Sequence, residues 1–145
     1  MRRVGVTLVV CLFVSVLLGR GSARAQAQLV PPANVPSGVS ITTDNAKKVA
    51  AAAIAEAQKN NLRMSVAIVD AAGYLVYFER MPDNQLGSPD IAIAKARSAV
   101  LFRRPTRAFQ DALAAGGEGW RILGLAGVVP VDGGVPLIVD AKVIG

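Results

Sequence analysis

The sequence has 145 residues, of which 52% are hydrophobic, with 16 basic and 10 acidic side chains, one cysteine and no histidine. That length accommodates one compact domain and leaves no room for a second domain of ordinary size. Without histidine, Ser-His-Asp hydrolysis, His-ligated zinc and a proximal-His haem are excluded, and a single cysteine excludes an intramolecular disulfide and a CxxC redox pair.

Residues 1–25 have the pattern of a secretory signal peptide. Arg2 and Arg3 give a positive start, an apolar run follows over residues 4–18, and Ala23-Arg24-Ala25 fits the small-x-small cleavage rule. We therefore predict cleavage near Ala25 and a periplasmic or secreted protein, with an uncleaved membrane anchor as the alternative. The leader holds four of the 16 basic residues and no acid, so the rest of the chain carries a net charge of about +2, and nucleic-acid binding is not indicated.

The segment after the leader, residues 26–41, contains Pro31, Pro32 and Pro36 and shows no apolar period. This composition predicts an extended, poorly ordered tether before a folded domain over residues 42–145. From Thr42 onward, small apolar residues recur every three or four positions. The recurrence predicts a helix that Thr42 or Thr43 caps and that ends near Asn60.

Two strands joined by a tight turn are predicted next. Residues 64–70 are almost wholly apolar, as expected for a strand covered on both faces, and residues 74–80 alternate in polarity. Gly73 lies in the turn between them, where it can adopt a positive φ. Residues 81–87 have the composition of a loop.

Two helices are predicted in the next part of the chain. Ser88-Pro89-Asp90 combines a capping hydroxyl, a proline at the first helical position and an early carboxylate, which predicts a helix to about residue 102 or 103. Pro105 disfavours a helical Arg104, and Thr106 is predicted to cap a short helix to about residue 114. Residues 115–119 indicate a flexible connection, and residues 135–139 and 142–145 indicate a second hairpin.

Several of these blocks, in this order, resemble the GlcG/HbpS family of small haem-binding or haem-degrading-type domains, also seen as the C-terminal domain of PduO-type proteins. The resemblance covers about 105 residues from Thr42 onward, so it rests on separated motifs and not on a single one. The matching blocks are Ser65-Val66-Ala67-Ile68-Val69-Asp70 with Gly73, Ser88-Pro89-Asp90-Ile91-Ala92, Lys95-Ala96-Arg97-Ser98-Ala99, Phe102-Arg103-Arg104-Pro105-Thr106 and Gly133-Gly134-Val135-Pro136-Leu137 with Val143-Ile144-Gly145.

The resemblance implies an α/β (α+β) sandwich of the profilin-like kind, a mainly antiparallel five-stranded sheet with helices packed on it, often assembled into homo-oligomers. Family members usually continue with a glycine-rich strand and a closing helix, so we expect the last strand and helix to be missing from this sequence. The function implied is that of an exported tetrapyrrole-binding protein in haem or iron handling or sensing.

A haem site needs an apolar slot, cations for the propionates and usually an axial ligand. The cofactor-binding residues that we predict are Arg103, Arg104 and Arg107 for the propionates, Thr106 as a pocket hydroxyl, and Tyr74 and Tyr77 as axial ligands. Met64 and Met81 are further axial candidates.

Other interpretations of the same residues stay open. The three arginines are also consistent with solvated charges at helix ends, Thr106 with a helix cap, and the tyrosines with core packing. The alternatives to haem binding are a non-catalytic partner or sensory domain for another small molecule, and an accessory enzyme acting on a small acid. For the enzyme, Lys95 beside Arg97, or Glu79 near Asp70, would handle protons, but no pair shows an enforced geometry, so no catalytic residue is predicted.

Overall fold

The computed structural model describes residues 35–145, so the predicted leader lies outside the described residues. Helices and strands alternate in a mixed α/β order. In chain order they are α1 (Thr43–Lys59), β1 (Ser65–Val69), β2 (Leu75–Arg80), α2 (Ser88–Leu101), α3 (Thr106–Ala114), a 3₁₀ helix (Gly117–Gly124), β3 (Ile138–Val139) and β4 (Lys142–Val143).

Helix α1 has the predicted start and end. The Thr42 hydroxyl accepts a hydrogen bond from the Asn45 amide at 3.4 Å, and Asn60 forms the C-cap. Its buried face consists of Ala46, Ala50, Ile54 and Ala57, three of which are alanines. Because these side chains are short, the helix backbone lies close to the strands that it covers.

Strands β1 and β2 form the predicted antiparallel hairpin, with Ala67 opposite Phe78 and a register irregularity between Ile68 and Val69. Gly73 adopts φ 88° in the turn, where a residue with a Cβ would be strained. The Asp70 carboxylate accepts hydrogen bonds from the Ala72 and Tyr74 amides at 2.9 and 2.8 Å, which fixes the turn.

Helices α2 and α3 begin differently from the prediction. Gly87 is the N-cap of α2 and Ser88 its first helical residue, so the expected capping by Ser88 is wrong. Likewise, Pro105 is the N-cap of α3, and Thr106 makes no capping hydrogen bond. The Thr106 hydroxyl is instead used in a tertiary contact with Gly134, which satisfies it inside the protein.

The glycine-rich connection predicted over residues 115–119 continues into the 3₁₀ helix, which packs on α3. The backbone at position 119 lies so close to α3 that only glycine fits, since an added Cβ would be 1.9 Å from the Ala112 carbonyl oxygen. Trp120 and Leu123 on this segment are exposed.

The short hairpin β3–β4 pairs with the segment that precedes α1. Ser37 bridges Val143 in parallel, and the Gly38 and Ile41 amides donate to the carbonyls of Val143 and Ile144, both at 2.8 Å. The part of the predicted tether from residue 35 onward is therefore paired with β4, and Ile41 is buried.

The five-stranded sheet implied by the resemblance is an overestimate for residues 35–145, where four strands form two separate antiparallel pairs. The two pairs do not join into one sheet because β1 is hydrogen-bonded to β2 along one edge, whereas its other edge faces a cleft. The end of the chain after β4 lies close to β1 without pairing with it, since a Cβ added at Gly145 would be 2.5 Å from the Val69 carbonyl oxygen.

The helices cover the two faces of the β1–β2 hairpin. Val66 and Ile68 pack with α1 residues in one core cluster, whereas Val69 packs with Val100 of α2 and with Val143 in another. This alternation of side chains across β1 agrees with its apolar sequence on both faces. None of the helices in the described part of the chain is long and apolar enough to cross a membrane.

Candidate functional site

A cleft of about 440 Å³ runs along the free edge of β1, between α1 and α2. Its volume lies within the range of roughly 300–1,000 Å³ that small-molecule sites in proteins occupy. Most of its walls are apolar. The lining residues include Val49, Ala53, Val66, Ala67, Ile68, Val69, Ile91, Ala92, Ala96, Val131, Val135 and Leu137.

One wall of the cleft is a single face of α2. Ser88, Ile91, Ala92, Lys95 and Ala96 line it, and their spacings of three and four residues place them on one side of the helix. The stripe is apolar in its middle, with a hydroxyl at the N-terminal end of the helix and an ammonium about 10 Å further along its axis. The wall therefore offers a ligand an apolar surface with one fixed cation.

Lys95 is held in place by the loop that precedes β3. Its Nζ donates to the Asp132 carbonyl oxygen at 2.9 Å, and it is only half-buried. An ammonium has three donors, so two remain for a ligand or for water. The Asp132 carboxylate pairs with Arg107, and within residues 35–145 Lys95 forms no salt bridge.

The same loop is locked to α3 through Thr106 and Gly134. The Gly134 amide donates to Thr106 Oγ1, and the Thr106 amide donates to the Gly134 carbonyl, both at 2.9 Å. An added Cβ at Gly134 would lie 2.5 Å from the Lys95 carbonyl oxygen, so only glycine fits between α2 and α3. Thr106 and Gly134 thereby fix the cleft wall that contains Lys95.

The part of the cleft near the starts of β1 and α2 is polar. Arg63, Ser65, Gln85 and Ser88 line it together with Met64. Within residues 35–145 the Arg63 guanidinium enters no salt bridge. This end therefore combines a cation with hydroxyl and amide donors, a set that suits carboxylate groups.

Asn84 holds this polar end together. Asn84 is buried, its side-chain Nδ2 donates to Ser65 Oγ at 2.8 Å, and its backbone carbonyl oxygen accepts from the Arg80 guanidinium at 2.8 Å. The loop over residues 81–87 is thus tied to the start of β1, which places Gln85 at the cleft.

The arginines predicted as propionate partners lie outside this cleft. Arg103 donates to the Val35 carbonyl at 2.6 Å, and Arg104 stacks over the Phe109 ring at 5.4 Å. Arg107 pairs with Asp111 at 3.1 Å and with Asp132 at 2.9 Å. Hydrogen bonds to the Asp132 and Asp111 carboxylates, strengthened by their charges, raise the pKa of Arg107 above its usual value.

The other predicted site residues are also placed apart from the cleft. Thr106 is fully buried against Gly134 and supports the wall without lining the cleft. Tyr74 is 68% exposed beside the β1–β2 turn. Tyr77 donates to the Glu79 carboxylate at 2.9 Å, and this hydrogen bond, with burial and the Glu79 charge, raises the pKa of Tyr77.

Of the two methionines proposed as axial ligands, only Met64 lines the cleft. Met81 is buried in the core with Ile54 and Ala57. Among the described residues, no three carboxylate, cysteine or histidine side chains lie close enough together to hold a metal ion.

Lys95 and Arg63 are the functional candidates that the sequence did not indicate as ligand-binding residues. Lys95 was considered only as a proton carrier next to Arg97. The signal in the sequence was a single lysine seven positions after Ser88, on a helix face that is otherwise apolar. For Arg63 the sequence contained no comparable signal, because its place at the cleft depends on the tertiary packing of β1 against α2.

Comparison with known proteins agrees with the fold. The protein GlcG of Escherichia coli K12 is 35% identical over 107 residues, which are 74% of this chain and 78% of GlcG. A double mutant of Streptomyces reticuli HbpS superposes with a TM-score of 0.66 at 28% identity, covering 74% of this chain and 72% of that one. The crystal structure of a PduOC:Heme complex superposes with a TM-score of 0.65 at 30% identity, covering 74% of this chain and 79% of that one.

The family described as "Haem degrading protein HbpS-like" matches residues 41–145, which comprise both hairpins and every described helix. The match begins at the buried Ile41, where the segment paired with β4 leads into α1. The GlcG/HbpS resemblance seen in the sequence is confirmed, and the chain belongs to the HbpS-like family.

Proposed function

We propose that the protein binds a tetrapyrrole of the haem type in the cleft between β1 and α2. The observation that carries the proposal is the combination, in one cleft, of apolar walls with Lys95 and Arg63. The apolar walls suit a macrocycle, and the cations suit its propionates. Other ligands also combine an apolar body with carboxylates, and the family and the haem complex of a structural relative support haem among them.

The fit can be judged from the side chains of the cleft. The propionates have partners in Lys95, Arg63, Ser65 and Ser88, whereas Met64 is the one sulfur-containing residue among residues 35–145 that lines the cleft. The donor set therefore fits the carboxylates and the ring more completely than it fits the iron. When bound, haem would supply an iron centre for redox or sensing chemistry.

A hemin titration of the purified protein, followed by the Soret band, tests the proposal. We expect a saturable shift. Lys95→Gln removes the charge without adding a metal ligand, and it should weaken binding by about 10- to 100-fold, the value of a charge-assisted hydrogen bond of about 1.5–3 kcal/mol. The matched control is Lys48→Gln on the exposed face of α1, which should leave the titration unchanged. A titration indistinguishable from free hemin would contradict the proposal.

We also propose that residues 1–25 direct export and that the protein acts in the periplasm or outside the cell. The support is the sequence pattern of those residues. Expression in a Gram-negative host followed by mass spectrometry of the periplasmic fraction should find a chain that begins at Gln26. Recovery of the full-length chain in the membrane fraction would instead indicate an uncleaved anchor.

A homo-oligomer is the assembly that we propose. Trp120 and Leu123, which are 66% and 67% exposed on the 3₁₀ helix, are the apolar side chains that support it. Light scattering should give a multiple of the monomer mass. The double variant Trp120→Gln with Leu123→Gln should lower that mass, and a monomeric parent protein would overturn the proposal.

A further inference from the structure

The atoms that face the cleft differ in how well they serve the two parts of a metalloporphyrin. The residue types that usually ligate haem iron are histidine, cysteine, tyrosine and methionine. The chain has no histidine, and its single cysteine is Cys11 in the predicted leader. Tyr74 and Tyr77 do not line the cleft, which leaves the thioether of Met64.

Neither Lys95 nor Arg63 can serve as the axial ligand of a haem iron. The Lys95 ammonium donates to the Asp132 carbonyl and has no lone pair to offer a metal. The nitrogens of the Arg63 guanidinium all act as hydrogen-bond donors and likewise offer no lone pair to a metal. Both side chains are, however, well suited to carboxylates.

The apolar walls of the cleft can pack against the porphyrin ring, and they supply no ligand to its central metal. Ile91 and Ala92 of α2 lie on one side of the cleft, and Val49 and Ala53 of α1 on another. The free energy gained by covering a flat ring with these side chains depends on the apolar area removed from water, which the metal at its centre hardly changes.

We infer that the cleft recognises the porphyrin ring and its carboxylates independently of the central metal, so that metal-free protoporphyrin IX is a ligand comparable to hemin. This inference rests on the proposed function. It names the ligand class as dicarboxylate porphyrins with or without iron, and it assigns Lys95 and Arg63 a role in specificity and Met64 a role in packing.

Parallel titrations with hemin and with protoporphyrin IX, followed by quenching of Trp120 fluorescence and by porphyrin absorbance, test the inference. We expect dissociation constants that agree within about threefold. Hemin binding more than about tenfold tighter than protoporphyrin IX would overturn the inference and leave the proposed function intact. If neither porphyrin binds, the proposed function itself fails.

Two further measurements separate the carboxylates from the metal. The dimethyl ester of protoporphyrin IX has the same ring without the charges, and it should bind at least about tenfold more weakly than the free acid. Met64→Leu conserves volume and removes the thioether, and it should change the affinities for hemin and for protoporphyrin IX by the same factor. A loss of hemin affinity alone in Met64→Leu, or equal binding of ester and acid, would contradict the inference.

Discussion

Thr106 and Gly134 are joined by two hydrogen bonds of 2.9 Å. The Gly134 amide donates to the Thr106 hydroxyl, and the Thr106 amide donates to the Gly134 carbonyl. Both residues are buried, and they join the start of α3 to the loop that carries Asp132. Because Asp132 also receives the Lys95 ammonium, this pair determines where the cation of the cleft is held. It therefore links the stability of the fold to the geometry of the site.

Replacing Thr106 with valine tests this link. Valine keeps the branched shape but leaves the buried Gly134 amide without an acceptor, which should lower the free energy of unfolding by about 1–3 kcal/mol. Urea denaturation measures the change. Thr106→Ser should retain most of the stability, and the exposed Thr43→Val should shift it by no more than about 0.5 kcal/mol. An unchanged midpoint for Thr106→Val would show that the hydroxyl is not needed.

Gly134→Ala tests the close approach of α2 and the loop. The new methyl group would lie 2.5 Å from the Lys95 carbonyl oxygen and 2.8 Å from Thr106 Cγ2, so the backbone must move. Such overpacking costs about 1–3 kcal/mol or more, and hemin affinity should fall as Lys95 is displaced. The control is Gly124→Ala, which meets no atom within 4 Å. Equal melting temperatures for the two variants would refute this account of Gly134.

The Tyr77–Glu79 hydrogen bond predicts a pH dependence at the alkaline end. Because the pKa of Tyr77 is raised in the folded protein, its stabilising contribution is present below the ordinary tyrosine pKa of about 10 and is lost as the pH rises through the raised value. Phenolate absorbance in a Tyr74→Phe background reports Tyr77 alone. Adding Glu79→Gln should move its titration to lower pH, and an identical titration curve would contradict the assignment.

The arginines predicted from the sequence and the cations that line the cleft can be distinguished by mutation. The sequence predicted propionate partners at Arg103, Arg104 and Arg107, whereas the cleft contains Arg63 and Lys95. Arg104 stacks on Phe109, so Arg104→Gln should change hemin affinity by no more than about twofold, while Arg63→Gln weakens it by about tenfold. The opposite ranking would restore the sequence-based site.

The elements of the fold follow from local signals in the sequence, whereas the contacts around the cleft join residues that are distant in the chain. The alanine stripe of α1, the apolar run of β1 and Pro89 at the start of α2 are local signals, and each element was found where expected. Thr106 was misjudged because a hydroxyl after a proline resembles a helix cap, whereas its partner Gly134 lies 28 residues further along the chain. The contact of Lys95 with the Asp132 carbonyl could not be predicted either, because the two residues are 37 positions apart in the chain.

Amide chemical shifts provide the most direct test of the claim that the cleft between β1 and α2 binds the porphyrin. Protoporphyrin IX, which lacks the paramagnetic iron, would be titrated into the ¹⁵N-labelled protein. We predict that the shifted amides lie in β1, on the face of α2 that contains Ile91 and Lys95, and at Gly133 and Gly134, whereas amides on the exposed face of α1 remain unshifted. Perturbations confined to residues 103–107 or to the turn at Tyr74, or none at all, would contradict the account.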